Sequence, residues 1–143
     1  PPMIQISADS SRVVFMADRD FDEVVELYSA PLDGSAPARE LNVSLGSALY
    51  RDVLDFRLTH DGEHILYRSN ELRVVSQDLW LVPTDGSRPP RALNQPALFG
   101  GFQVGERYWT SPRDDLAFYL SDEDHDGDVQ IYAAPLGKQR RGP

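Results

Sequence analysis

The stretch Ser7 to Gly34, SADSSRVVFMADRDFDEVVELYSAPLDG, returns at Thr59 to Gly86 as THDGEHILYRSNELRVVSQDLWLVPTDG. It returns again from Ser111 as SPRDDLAFYLSDEDHDGDVQIYAAPLG. No gap is needed to align the copies. Ser7, Thr59 and Ser111 stand 52 residues apart, as do Phe15, Tyr67 and Tyr119, Tyr28, Trp80 and Tyr132, and Pro31, Pro83 and Pro135. Leu41-Asn42 and Leu93-Asn94 keep the same interval. A fixed long period of this kind marks an array of repeated supersecondary units.

Each unit reads as short strands. RVVFMAD carries Val13, Phe15 and Ala17 on one face and Val14 and Met16 on the other, so both faces are apolar. HILYRS and LAFYLS follow the same plan, which predicts strands covered on both sides. ELYSAPL, DLWLVP and QIYAAPL are second runs rich in aromatic and branched residues. Asp61-Gly62, Asp33-Gly34 and Asp85-Gly86 supply turn chemistry. A run precedes each copy (MIQIS, VLDFRLT, RYWTS), and a short strand follows the first two (ARELN, PRALN). The expected architecture is therefore all-β: three tandem antiparallel blades of four strands, the last incomplete, forming a partial β-propeller or half-ring. The 143 residues read as a single repeat domain, with blades over about 1–42, 53–94 and 106–143.

The pattern Ser-x-Asp-Gly/Ser, an apolar run ending in Phe or Tyr, an Asp-rich turn, Glu/Asp-Leu-Tyr/Trp-x-x-Pro-x-Asp-Gly and Leu-Asn resembles the TolB-like (WD40-like) β-propeller repeat of bacterial proteins. Ser111-Pro112 keeps the usual Ser-Pro, whereas Ala8 and His60 replace the proline in the first two copies. Kelch repeats have a similar period, but their paired glycines are missing; WD repeats are shorter. The resemblance implies a periplasmic or extracellular setting. The signature specifies fold more than function, since propellers host unrelated activities; the expected function is a non-catalytic scaffold for a protein or peptide partner. TolB-like blades also occur beside the catalytic domain of serine peptidases such as the prolyl oligopeptidase family, so the alternative is a propeller piece that gates substrate access.

Closed propellers use about four to eight blades. Fewer than three full units leave two open flanks, and exposed apolar faces favour association. The expectation is a fragment of a larger propeller or a homo-oligomer, with a dimer completing a six-bladed ring. Net charge is −9, from 14 basic and 23 acidic residues. That argues against non-specific nucleic-acid binding. No apolar run approaches the length of a membrane span, so no membrane insertion is expected. With no cysteine, disulfide and thiol chemistry are excluded. Lys138, Arg140 and Arg141 form one basic cluster, read as a solvated tail or a docking patch.

The acidic turn within the blade is the candidate metal site. In the third unit Asp122, Asp124, Asp126 and Asp128 alternate, with Gly127 at the sixth position; in the first unit the matching set is Asp18, Asp20, Asp22 and Glu26. Alternating carboxylates on a tight loop can converge on one calcium ion, which takes six to eight oxygens. Ser29 and Ala133 stand where a calcium-binding helix–loop–helix needs glutamate, and the second unit has Asn70, Leu72 and Val74. The same residues serve equally as polar hairpin turns, and both readings stay open.

Nucleophilic catalysis finds no motif: there is no Gly-x-Ser-x-Gly elbow, and no Ser/His/Asp set stands out, so no enzyme is expected. His60 and His64 flank Asp61-Gly62 and read as turn and strand-surface residues, with no third ligand for zinc. The aromatics in register read as inter-blade core. Tyr50, Phe99, Phe102, Tyr108 and Trp109, in or beside the connectors, are the candidates for an exposed contact surface. Connectors are expected on one ring face, where binding residues concentrate.

Overall fold

A computed structural model describes residues 4–20, 22–43, 52–70, 76–95, 104–124 and 127–137. Within them the strands are β1 (Ile4–Ile6), β2 (Arg12–Ala17), β3 (Glu26–Pro31), β4 (Arg39–Glu40), β5 (Val53–Leu58), β6 (His64–Ser69), β7 (Asp78–Pro83), β8 (Arg91–Ala92), β9 (Val104–Thr110), β10 (Leu116–Ser121) and β11 (Gln130–Pro135). They form three antiparallel sheets in simple meander order, β1 to β4, β5 to β8, and β9 to β11. These are the blades of a partial propeller, and the third has three strands among the described residues.

The register repeats with the sequence. Phe15 pairs with Tyr28, Tyr67 with Trp80, and Tyr119 with Tyr132. Each pair stacks, with ring centroids 5.6, 6.2 and 5.7 Å apart. Such cross-strand aromatic pairs are among the stronger stabilisers of a pleated surface.

The motif residues make the turns. Ser7 Oγ donates to Asp9 Oδ1 at 2.6 Å and accepts from Arg12 N at 3.0 Å. Thr59 repeats this with Asp61 and His64 N, at 2.6 and 3.1 Å. In the third unit Arg113 replaces that aspartate, and Ser111 Oγ donates to Asp115 instead. The Leu-Asn motif also has one job. Asn42 Oδ1 accepts from Leu27 N at 2.7 Å, and Asn94 Oδ1 accepts from Leu79 N at 2.8 Å, so each asparagine continues a ladder where the outer strand has ended.

Two cores lie between the sheets. Val14, Leu27 and Leu41 of the first blade pack with Phe56, Ile65, Tyr67, Trp80 and Val82 of the second. Leu66, Leu79 and Leu81 of the second pack with Tyr108, Ala117, Tyr119, Ala134 and Leu136 of the third. Each blade thus has a trailing face that meets the leading face of the next. Leu27 and Leu79 are both 0% exposed on trailing faces, while Ile131, their counterpart in the third blade, is 67% exposed. Phe56 is 0% exposed on a leading face, while Ile4, its counterpart in the first, is 61% exposed.

Segment 44–51 and Phe99-Gly100-Gly101-Phe102 lie outside the described residues, as does the basic cluster of Lys138, Arg140 and Arg141.

Candidate functional site: the axial cleft

The first strand of each blade, β1, β5 or β9, is an edge strand. In a propeller one edge of each blade lines the central channel, and residues of β1, β5 and β9 meet in one cleft, which makes these the axial strands. Gln5, Arg57 and Trp109 occupy one register position on them, 52 residues apart. A cleft of about 260 Å³ opens here, lined by Gln5, Arg57, Leu58, His60, Leu66, Tyr108, Trp109 and Thr110.

Gln5 bridges to the next blade with its amide. Leu58 N donates to its Oε1 at 3.2 Å, and its Nε2 donates to Phe56 O at 3.4 Å. Arg57 is exposed, and its guanidinium carbon lies 5.3 Å from the ring centroid of Tyr108. Trp109 is exposed and stacks on Phe118, centroids 6.3 Å apart.

One end of the cleft holds a polar cluster that spans two blades. The buried Asp114 carboxylate accepts from Thr110 Oγ1 at 2.6 Å, from His60 N at 3.1 Å and from Asp61 N at 3.0 Å, and its Oδ1 lies 2.8 Å from His60 Nδ1. Burial pushes this carboxyl up, but the hydrogen bonds from Thr110 and His60 outweigh it and hold the group below the usual carboxylate range. The carboxylate turns Nδ1 of the exposed His60 ring towards itself, which leaves Nε2 for the cleft.

This cluster is readable once the repeat is used as a ruler. Asp114 stands at the position of Ser10 and Gly62, and all three have positive φ, 51°, 57° and 73°. His60 stands at the position of Ala8. Where the second blade meets the first, a Cβ on Gly62 would lie 3.1 Å from Ala8 N, so backbone meets backbone directly. Where the third meets the second, the Asp114 side chain takes over that contact. Both partners differ together between the two junctions.

Behind the cleft, Asp55 and Arg68 form a buried pair. Arg68 Nε donates to Asp55 Oδ2 at 3.0 Å, and Nη2 donates to the same oxygen. Arg68 Nη1 also donates to Gln77 Oε1 and to Val104 O, both at 2.9 Å. Tyr108 OH donates to Asp55 Oδ1 at 2.7 Å, and burial together with that carboxylate pushes the phenol above its ordinary value. Tyr108 is therefore buried, which corrects its reading as a contact-surface residue; its hydroxyl is anchored inward. Trp109 is exposed as expected, while Tyr50, Phe99 and Phe102 lie outside the described residues.

The acidic turns are organised one carboxylate at a time. Asp18 Oδ2 accepts from Glu23 N at 2.9 Å. Glu26 is buried, and its Oε2 accepts from Tyr28 OH at 2.9 Å and from Arg19 N and Asp20 N at 3.3 and 3.4 Å. Asp20 and Asp22 are exposed. In the third unit Asp122 Oδ2 accepts from Gly127 N at 3.3 Å, Asp124 Oδ2 from Tyr132 OH at 2.9 Å, and Asp128 Oδ2 from Gln130 Nε2 at 3.1 Å. Asp126 and His125 lie outside the described residues. Among the described residues, no three His, Asp or Glu side chains group to hold a metal ion. His64 is half-buried on β6, and its Nδ1 is buried with no hydrogen-bond partner.

No protein-family model matches the chain, and no curated relative is found by sequence. Solved structures do match in shape. A prolyl endopeptidase, one of two analysed for inter-domain dynamics in catalysis and specificity, superposes with a TM-score of 0.61 at 13% identity, over 96% of this chain and 20% of that one. The β-propeller domain of the Trilobed protease from Pyrococcus furiosus, which has an open velcro topology, gives 0.59 at 14% identity, over 96% of this chain and 41% of that one. An oligogalacturonate lyase in complex with manganese gives 0.55 at 14%, over 96% and 35%. At such identities the likeness shows the propeller fold. The chain spans less than half the length of each of these structures.

Proposed function

We propose that the chain is a non-catalytic β-propeller unit of the TolB-like kind that binds a protein or peptide partner in its axial cleft, in a periplasmic or extracellular setting. One observation carries the reading. At the stacked aromatic positions the three blades repeat residue type, but at the axial position they present Gln5, Arg57 and Trp109, three different chemistries around one cleft. Variation in an exposed cleft beside a repeating aromatic scaffold suits a recognition site on a rigid frame. The exposed Trp109 supplies apolar area of the kind that anchors bound chains.

Peptides selected from a random library against the 143-residue chain test this. Binding that shifts the NMR signals of the Trp109 indole and the Thr110 amide is expected. Selected peptides whose shifts fall only on other surfaces overturn the cleft as the site.

A second reading has this propeller gating access to a peptidase. It is favoured by the prolyl endopeptidase and the Trilobed protease propeller among the structures of like shape. A gene product that continues into an α/β-hydrolase sequence supports it, and one made of further repeats alone overturns it. In either reading, the open faces at Ile4 and Ile131 are covered by blades of the same repeat, and a second copy of the chain can provide them.

A further inference from the structure

We infer that the axial cleft takes a carboxylate, with Arg57 as its anion contact, so that the partner is a peptide presenting an acidic group there; this rests on the peptide-binding reading above.

The inference begins with the contrast between Gln5 and Arg57. Gln5 uses both halves of its amide, one donor and one acceptor, on the open edge of β5. Arg57 stands to β9 as Gln5 stands to β5. A guanidinium has five donors and no acceptor, so it cannot repeat the half that receives Leu58 N. It lies instead against the face of Tyr108. Among the described residues no ion pair or hydrogen bond engages it.

The acidic groups nearby do not neutralise it. Asp55, two residues away on the same strand, is committed to Arg68 and Tyr108. Asp114, on the neighbouring blade, is committed to Thr110, His60 and two backbone amides. Among the described residues, Arg57 is left in the cleft without a carboxylate, in a chain with net charge −9. A planar fork held on an aromatic face, with its edge free, is suited to bidentate capture of a carboxylate.

The rest of the cleft fits an acidic peptide. Trp109 gives an apolar wall beside the cation. His60 Nε2, with Nδ1 turned to Asp114, can accept a peptide N–H. The volume of about 260 Å³ admits one or two side chains and lies below the usual range for cofactor pockets.

The carboxylate can come from a side chain or a chain end, and three probes separate these. They are acetyl-Ala-Ala-Glu-Ala-amide, its Gln counterpart, and acetyl-Ala-Ala-Ala-Ala with a free carboxylate. In NMR titrations of the 143-residue chain, an acidic probe is expected to shift the Arg57 Nε–H and Trp109 indole signals to saturation. The Gln probe is expected to bind at least about tenfold more weakly. Arg57→Gln, which places on β5 the residue β1 already carries, should weaken the acidic probe by at least about tenfold. Arg57→Lys, which keeps the charge without the fork, should fall between. Whichever acidic probe binds assigns the source. Equal binding of the Glu and Gln probes, or unweakened binding by Arg57→Gln, overturns the carboxylate while leaving the peptide reading intact. Failure of all three probes to bind also overturns it, and the library selection then tests the peptide reading separately.

Discussion

Asp55 and Arg68 face each other across neighbouring strands of the second blade, buried, and Tyr108 of the third blade donates its hydroxyl into the pair. The polar network therefore ties two blades together through their core. Removing one partner of a buried pair strands the other charge, whereas replacing the set by apolar residues is often neutral. Asp55→Asn is expected to destabilise the fold by about 3 kcal/mol in urea unfolding. The first blade has Met3 and Met16 at the two positions, and the second has Phe56 where the third has Tyr108. The triple variant Asp55→Met, Arg68→Met, Tyr108→Phe should recover most of that loss. A triple variant less stable than Asp55→Asn refutes this account.

His64 offers a pH-dependent test. Burial lowers the pKa of its imidazole below 6.5. The folded state therefore takes up its proton later than the unfolded state as pH falls. Stability is lost as pH drops from 6.5 through the lowered folded value. His64→Leu, the residue the third blade carries as Leu116, removes both this loss and the buried Nδ1 without a partner. It should stabilise by about 1 kcal/mol at neutral pH, and by more at pH 5. Equal gains at both pH values, by thermal melts, would count against this.

At lower pH than His64, acid should act through the turn carboxylates. Hydrogen bonds from Ser7 and Ser11 hold Asp9 down to about 2, against 3.8 for a free group. A depressed carboxyl contributes stability that is present above the unfolded value and lost as pH falls through the folded one. The loss from this turn therefore lies between about 4 and about 2. Asp9→Asn should flatten the stability profile across that window and leave it unchanged at pH 7 apart from a constant offset.

The acidic turn of the first blade is expected to give no calcium response. Glu26, the ligand it would need to contribute, is buried on Tyr28 OH and two backbone amides. Melting curves with calcium and with chelator should coincide for a variant carrying Asp122→Asn, Glu123→Gln, Asp124→Asn, Asp126→Asn and Asp128→Asn, in which, of the two acidic turns, the first alone keeps its carboxylates. A calcium-dependent rise in that variant places a site at Asp18, Asp20 and Asp22 after all.

Ile131 should drive association. Its counterparts Leu27 and Leu79 are fully covered by the next blade. Light scattering of the 143-residue chain is expected to give a dimer at micromolar concentration, and Ile131→Glu to give a monomer. A wild-type chain that is monomeric at every concentration refutes self-association through this face.

The period, the strands and the aromatic pairs were legible because each depends on residues that recur. Phe15 with Tyr28 is a pair for the same reason that Tyr67 with Trp80 is. The site was less legible because it consists of departures from the repeat. Tyr108 shares a register with Ile4 and Phe56, which already marks it as core, yet its place beside a connector suggested exposure. His60 and Asp114 are 54 residues apart and meet only because adjacent blades stack turn on turn. Comparing them with Ala8 and Gly62 was the signal available. Trp109 is marked by its place beside a connector, but Arg57 needed one further fact, that β5 is an edge strand lining the cleft. Periodicity says which residues are equivalent; only the sheet order says which of them line the cleft.

The open faces at Ile4 and Ile131 are different surfaces, one leading and one trailing. Association of copies through them would consequently have a direction, like the links of a chain with hook and eye. Two copies cannot cover both faces through one self-matching patch; they must meet head to tail, twice. If the angle between blades lets the second junction form, the ring closes and growth stops. If it does not, each added copy presents a fresh Ile131, and the product is a filament. The wedge between neighbouring blades, set by side chains as small as the Ala117 and Ala134 that face Leu66, Leu79 and Leu81, therefore decides between a finite particle and an endless one.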